Sequence, residues 1–120
     1  MIASPIEVLI VRQDESYRID KLPNDIKRLS HLVGGHLQAK TTKTATFWFN
    51  SHGKREKMPI NYMATYLWWK LDPASESQDT INGPCVITGP ANDSLEATDI
   101  YPDVLDLHAT MELVREDVKP

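Results

Sequence analysis

Residues 45–71, ATFWFNSHGKREKMPINYMATYLWWKL, constrain the fold of this 120-residue chain more than any other stretch. They begin as a strand, pass through a polar turn and end as a helix. Across residues 44–50, Ala45, Phe47 and Phe49 alternate with Thr46, Trp48 and Asn50, which is the two-residue period of a strand. Residues 36–41 alternate as well, with Leu37, Ala39 and Thr41 opposite His36, Gln38 and Lys40. Joined by Thr42-Lys43, the two runs predict a hairpin. Phe47 and Phe49 are assigned to the core, which leaves Trp48 on the other side of the strand. Ser51-His52-Gly53 predicts a turn by composition, with an extended return through residues 54–58. Asn61 is a good N-cap for a helix from Tyr62 to about Leu71, closed by Asp72-Pro73. Met63, Ala64, Leu67, Trp68 and Leu71 form the buried stripe of that helix. Tyr62, Tyr66, Trp69 and Lys70 fall off the stripe or at its edges.

The remaining segments fit around this unit. Residues 6–12, rich in β-branched side chains, predict a central strand covered on both faces, because both alternating sets are apolar apart from Glu7. Tyr17-Arg18-Ile19 is a further short extended piece, either an edge strand or a crossing segment. Asn24, followed by Asp25, is the expected N-cap of a helix with Leu22, Ile26, Leu29, Leu32 and Val33 on one stripe. Gly34-Gly35 ends that helix through a left-handed backbone. A short strand, Cys85 to Thr88, follows Asn82-Gly83-Pro84. A last helix begins at Pro102, with Val104, Leu107, His108, Met111 and Val114 on one stripe. The resulting order, β-α-β-β-α-β with an extra C-terminal helix, predicts a single α+β domain. A ferredoxin-like sheet with helices on one face is the first candidate; an α+β sheet with another strand order is the alternative.

The hydrophobic fraction of 41% and charged fraction of 25% are those of a globular chain able to build its own core. No apolar run is long enough for a membrane span or a signal-peptide core, and the single cysteine, Cys85, forms no internal disulfide. A cytoplasmic protein without membrane association is expected. The net charge of −4 is unevenly placed. Residues 36–70 carry six basic side chains and one acidic, while residues 71–120 carry two basic and eleven acidic. The molecule is therefore either electrically bipolar, which would steer partners, or folded so that the two segments interleave and cancel.

The succession Leu32-Val33-Gly34-Gly35, an aromatic strand ending in Asn50, Gly53-Lys54, Met58-Pro59-Ile60-Asn61 with Ala64-Thr65, Ile81-x-Gly83 and Val86-Ile87-Thr88-Gly89 resembles a family of small uncharacterised domains. These occur in bacteriophages, especially those of actinobacteria, and in other mobile elements. The likeness spans roughly Ile6 to Leu107. Ser51-His52 replaces the usual acidic turn pair, and Met58 stands where the family has leucine. The resemblance implies a setting and no activity: an accessory protein in a host cytoplasm, of a kind that often binds a host protein or sequesters a signalling molecule, as in countering host defence.

Trp48, His52, Lys54, Arg55, Lys57, Asn61, Tyr62 and Trp69 are the candidate ligand-binding residues. Aromatic rings interleaved with cations can stack on a base and neutralise a phosphate, and Asn61 marks a helix start where free N–H groups favour anions. The same residues have structural explanations, as core, turn, cap or dimer contacts. A host protein or a nucleotide-like small molecule is the expected partner, with self-association through exposed aromatics also open. The alternative is a nucleic-acid-binding module that uses the aromatic and basic residues of 45–70, although a pI near 5.5 weighs against a broad surface for polymeric nucleic acid. No metal, cofactor or catalytic motif stands out: His108 and Glu112 are four apart on a helix but lack a second histidine. A small enzyme using His52 or Cys85 is the least favoured reading. Asp99, Asp103 and Asp106 read as acids near a helix N-terminus, or as an acidic face imitating a phosphate backbone.

Overall fold

Strand β1 (Ile6–Val11) has buried residues on both of its faces, as a run that is apolar apart from Glu7 predicts. The computed structural model describes residues 5–23, 25–91 and 96–117. Within them β1 is followed by β2 (Tyr17–Leu22), α1 (Ile26–Val33), β3 (Leu37–Thr41), β4 (Thr46–Asn50), α2 (Tyr62–Leu71), β5 (Cys85–Thr88) and α3 (Pro102–Asp117). The five strands form one sheet in the order β2-β1-β5-β4-β3. The class is α+β.

Two antiparallel hairpins, β1–β2 and β3–β4, are joined by the last strand, which enters between β1 and β4. Every pairing is antiparallel. A ferredoxin-like sheet is built from βαβ crossovers, which set strands in parallel, so the pairing is that of the alternative strand order. Tyr17-Arg18-Ile19 belongs to an edge strand, β2. The helices also differ from the one-sided expectation, because they cover both faces of the sheet.

The register fixes which side chains share a face. Cys85 and Ile87 of β5 lie between Leu9 and Val11 of β1 and Phe47 and Phe49 of β4. This face packs against α2 through Met63, Ala64, Leu67 and Trp68, and against α3 through Val104. On the other face Val8, Ile10, Val86 and Trp48 pack against Leu29 and Val33 of α1. Trp48, assigned by alternation to the side opposite Phe47 and Phe49, is on that side. It is covered there by α1, and its Nε1 donates to Thr88 Oγ1 at 3.0 Å.

Local signals end the elements where the sequence places them, with three changes. Leu22, expected on the α1 stripe, is the last residue of β2. Asn24 lies outside the described residues; the N-cap of α1 is Asp25, whose side chain accepts from the Lys27 N–H. Gly34 takes φ 85° and closes α1 by donating to the carbonyl of His31. After β4 the chain does not return extended through residues 54–58. It winds instead through successive turns, with the Met58 N–H donating to the Gly53 carbonyl and Lys57 taking φ 61°. Gly53 is required there by close approach, since a Cβ would lie 2.6 Å from the Asn82 carbonyl oxygen.

In α3 the buried positions are Val104, His108 and Glu112. Val114, expected on the inner stripe, is exposed. The inner face of the helix turns polar because its second half meets the β1–β2 hairpin: His108 packs edge-on against Tyr17, with ring centroids 4.6 Å apart.

Candidate functional site: the groove between the second and third helices

Two regions hold the sequence-predicted site residues, and they differ in how much of their chemistry is already engaged. The first is the turn after β4. Lys54 forms an ion pair with Asp79, and Lys40 reaches the same carboxylate at 3.5 Å. Lys40 also sits over the Trp68 ring at 4.7 Å. Arg55 contacts His52 Nδ1 at 2.9 Å, and the His52 ring packs against His36 at 4.4 Å between centroids. Trp69 donates its indole N–H to the Asp79 carbonyl at 3.0 Å. A carboxylate of the acidic segment 71–120 thus sits among cations of the basic segment 36–70, and at this point the two segments interleave. Lys57 is exposed and belongs to the backbone of the turn.

Two other candidates lie in the interior. Trp48 is 1% exposed and reaches no surface a ligand could touch. Asn61 is fully buried and holds three backbone groups: its Oδ1 accepts from the Ala64 N–H at 3.1 Å, and its Nδ2 donates to the carbonyls of Val11 (2.9 Å) and Gly83 (3.0 Å). It is the helix cap that the sequence predicts. It also ties β1, α2 and the entry to β5 together, so its side chain is committed to the backbone and not offered to an anion.

The second region is a groove of about 580 Å³ between α2 and α3, ended by the β1–β2 turn. Tyr62 and Tyr66 line its α2 side and are 59% and 46% exposed. Their rings form a row continued by Trp69, with centroid spacings of 6.0 and 5.5 Å. Lys70 follows Tyr62 and Tyr66 at helical spacing on the same wall. Met111, Val114 and Arg115 line the α3 side, and Arg12 and Glu15 close the end. Cations outnumber acids around an aromatic and aliphatic lining, in a protein whose net charge is −4. The size is within the ~300–1,000 Å³ range of small-molecule sites. A second, more open hollow runs along α1, lined by Ile26, Lys27, His31 and Gly34 among others; phenylalanine, tyrosine and tryptophan rings are not part of it.

A polar chain joins His108 and Glu112, buried behind the groove, to Arg115 and Glu15 in its wall. Glu112 is ion-paired to Arg115, and Arg115 Nη1 reaches Glu15 Oε2 at 3.5 Å. His108 Nε2 lies 3.4 Å from Glu112 Oε1 without forming a hydrogen bond. Burial pushes the His108 imidazole below its ordinary pKa of 6.5; Glu112 opposes this, and Arg115 adds to it. Desolvation dominates, because Glu112 already has Arg115 as counter-charge, and it favours the neutral imidazole of His108.

Of the sequence-predicted residues, the groove contains Tyr62 and has Asn61 in its wall. Arg12, Met111 and Arg115 come from segments that sequence reasoning did not join to it. The readable signal was the row Tyr62, Tyr66, Lys70, off the buried stripe of α2. Cys85 is buried in the apolar layer, where desolvation drives its thiol far above the ordinary range and away from the reactive thiolate. Asp99 precedes α3, and its Oδ1 accepts from the Glu7 N–H at 2.8 Å, which pins it to β1 and away from an acidic helical face. Among the described residues no group of three or more metal-ligating side chains comes together, and no helix is long and apolar enough to cross a membrane.

Fold and groove define a small three-layer α+β domain with helices on both faces of an antiparallel sheet. The chain belongs to the family described as a domain of unknown function, DUF3846, whose model matches residues 6–114. No curated protein and no solved structure matches it.

Proposed function

We propose that this chain is a binding protein without catalytic activity, and that it captures a nucleotide-like small molecule, ring-bearing and anionic, between α2 and α3. The observation that carries this reading is the pairing of exposed Tyr62 and Tyr66 rings with Arg12 and Lys70 around one groove, where Arg115, held by Glu112 and Glu15, forms part of the wall. Aromatic faces accept a base by stacking and cations neutralise phosphate. A groove of this size encloses one nucleotide and not a polymer. With the resemblance to phage and mobile-element domains, the setting we propose is that of an accessory protein in a host cytoplasm, withdrawing a signalling nucleotide from a host defence. A second reading, contact with a host protein, draws on the exposure of Leu113 (69%) and Val114 (57%) along α3.

Thermal denaturation against a panel of mono-, di- and cyclic nucleotides tests the first reading. A ligand present at a hundred times its Kd adds about 2.7 kcal/mol of stability, a shift of several degrees. We expect that shift in the wild type and in Lys54→Glu/Arg55→Glu, and its loss in Tyr66→Ala/Lys70→Glu. No shift with any nucleotide would remove the small-molecule reading, and a shift lost only in the turn variant would move the site to residues 51–57.

A further inference from the structure

The outer edge of the sheet at β2 carries an open row of backbone groups. Among the described residues no further strand lies beyond β2, and its Tyr17 and Ile19 are 49% and 55% exposed. The Arg12 N–H donates to the Ser16 carbonyl at 2.9 Å, which makes Arg12/Ser16 a hydrogen-bonded pair of the β1–β2 ladder. Hydrogen-bonded and non-hydrogen-bonded pairs alternate along an antiparallel ladder. Ile10/Arg18 and Val8/Asp20 are therefore bonded inward, and Tyr17, Ile19 and Lys21 aim their N–H and C=O groups outward. Consistent with this, the Lys21 N–H is taken by the Asp20 side chain at 2.8 Å and not by β1.

A two-fold pairing of this edge must set outward residues opposite outward residues, which leaves three registers near its centre. Centring on Arg18 places Arg18 opposite Arg18 of the second copy, and centring on Asp20 places Asp20 opposite Asp20. Like charges directly opposed are unfavourable. Centring on Ile19 sets Arg18 opposite Asp20 of the second copy twice over, in the non-hydrogen-bonded positions where side chains come closest. Within one chain these two side chains already lie 3.4 Å apart, so each exchanges a neighbour for its equivalent across the axis. On the opposite face Ile19 meets Ile19 and Tyr17 lies beside Lys21. The Asp20 side chain leaves the Lys21 N–H, which then donates to Tyr17 of the second copy.

We propose that the protein forms an isologous homodimer through antiparallel β2–β2 pairing centred on Ile19, one sheet running through both copies. The surface lies outside the groove, so the proposal stands independently of the nucleotide reading. Sedimentation velocity over a concentration series tests it, with wild type, Arg18→Glu and Arg18→Glu/Asp20→Arg. The wild type is expected to form a concentration-dependent dimer. Arg18→Glu, which sets a carboxylate against Asp20 of the second copy at both positions, should weaken it about tenfold or more, and the double reversal should restore it. Both substituted positions are at an exposed edge, and circular dichroism confirms that each variant is folded. A wild type that stays monomeric at every soluble concentration, an Arg18→Glu variant that dimerises as well as wild type, or a double reversal that restores nothing would each overturn the proposal.

Discussion

The turn after β4 and the groove between α2 and α3 carry similar residues, yet their surroundings use that chemistry differently. In the turn, Lys54 and Lys40 converge on Asp79, Arg55 contacts His52, and Trp69 is bonded to the backbone of residue 79. In the groove, the rings of Tyr62 and Tyr66 face an open space beside Arg12 and Lys70, while Arg115 is already held by carboxylates, those of Glu112 and Glu15. Local density of cations and aromatics is thus a poor guide to a site. What matters is whether distant segments arrive to neutralise those groups or to build a wall around them.

Asn61 holds the start of α2 against β1 and so positions the Tyr62 wall. Replacing Asn61 with alanine removes a cap and leaves the buried carbonyls of Val11 and Gly83 without that donor. The expected cost is about 2–4 kcal/mol in urea denaturation, the largest effect among these changes.

The buried chain behind the groove gives the next effect. Because His108 has a folded-state pKa below its ordinary value of 6.5, the unfolded chain binds its proton more readily. Stability is then full above pH 6.5 and falls as the pH drops from there through the folded pKa. A single proton limits this slope to about 1.4 kcal/mol per pH unit. Stability curves between pH 4.5 and 8 should show the decline in wild type and a flatter profile in His108→Gln. A gain in stability on acidification would mean that Glu112, and not burial, controls the imidazole.

The smallest effect belongs to the turn. Asp79→Ala frees Lys40 and Lys54, yet partly exposed ion pairs contribute roughly 0–1 kcal/mol, so stability should change little. Nucleotide affinity at the groove should be unaffected. A marked gain in anion binding would show that the turn becomes a site once uncovered.

Much of the fold was legible because its signals are local. The alternation in residues 36–50 set the hairpin and the facing of Phe47 against Trp48, Gly34 supplied the left-handed helix end, and Asn61 the cap. Alternation tells which side a residue takes but not whether that side is covered, so α1 over Trp48 was not readable. Nor was the entry of β5 between β1 and β4, because an antiparallel partner can be recruited from any distance along the chain. The groove escaped for the same reason: its walls come from three segments. The stripe of α3 holds at Val104 and His108, which are buried, and misled at Val114 because the fold buries the acidic Glu112 instead, in partnership with Arg115.

Titration of the isotopically labelled protein with the nucleotides that stabilise it, followed by backbone amide chemical shifts, locates the bound ligand on the surface. Binding in the groove predicts that the perturbed amides fall in α2, from Tyr62 to Leu71, in the half of α3 around Met111 and in the β1–β2 turn near Arg12, with residues 51–57 unchanged. Perturbations centred on residues 51–57, or none at saturating nucleotide, would contradict it.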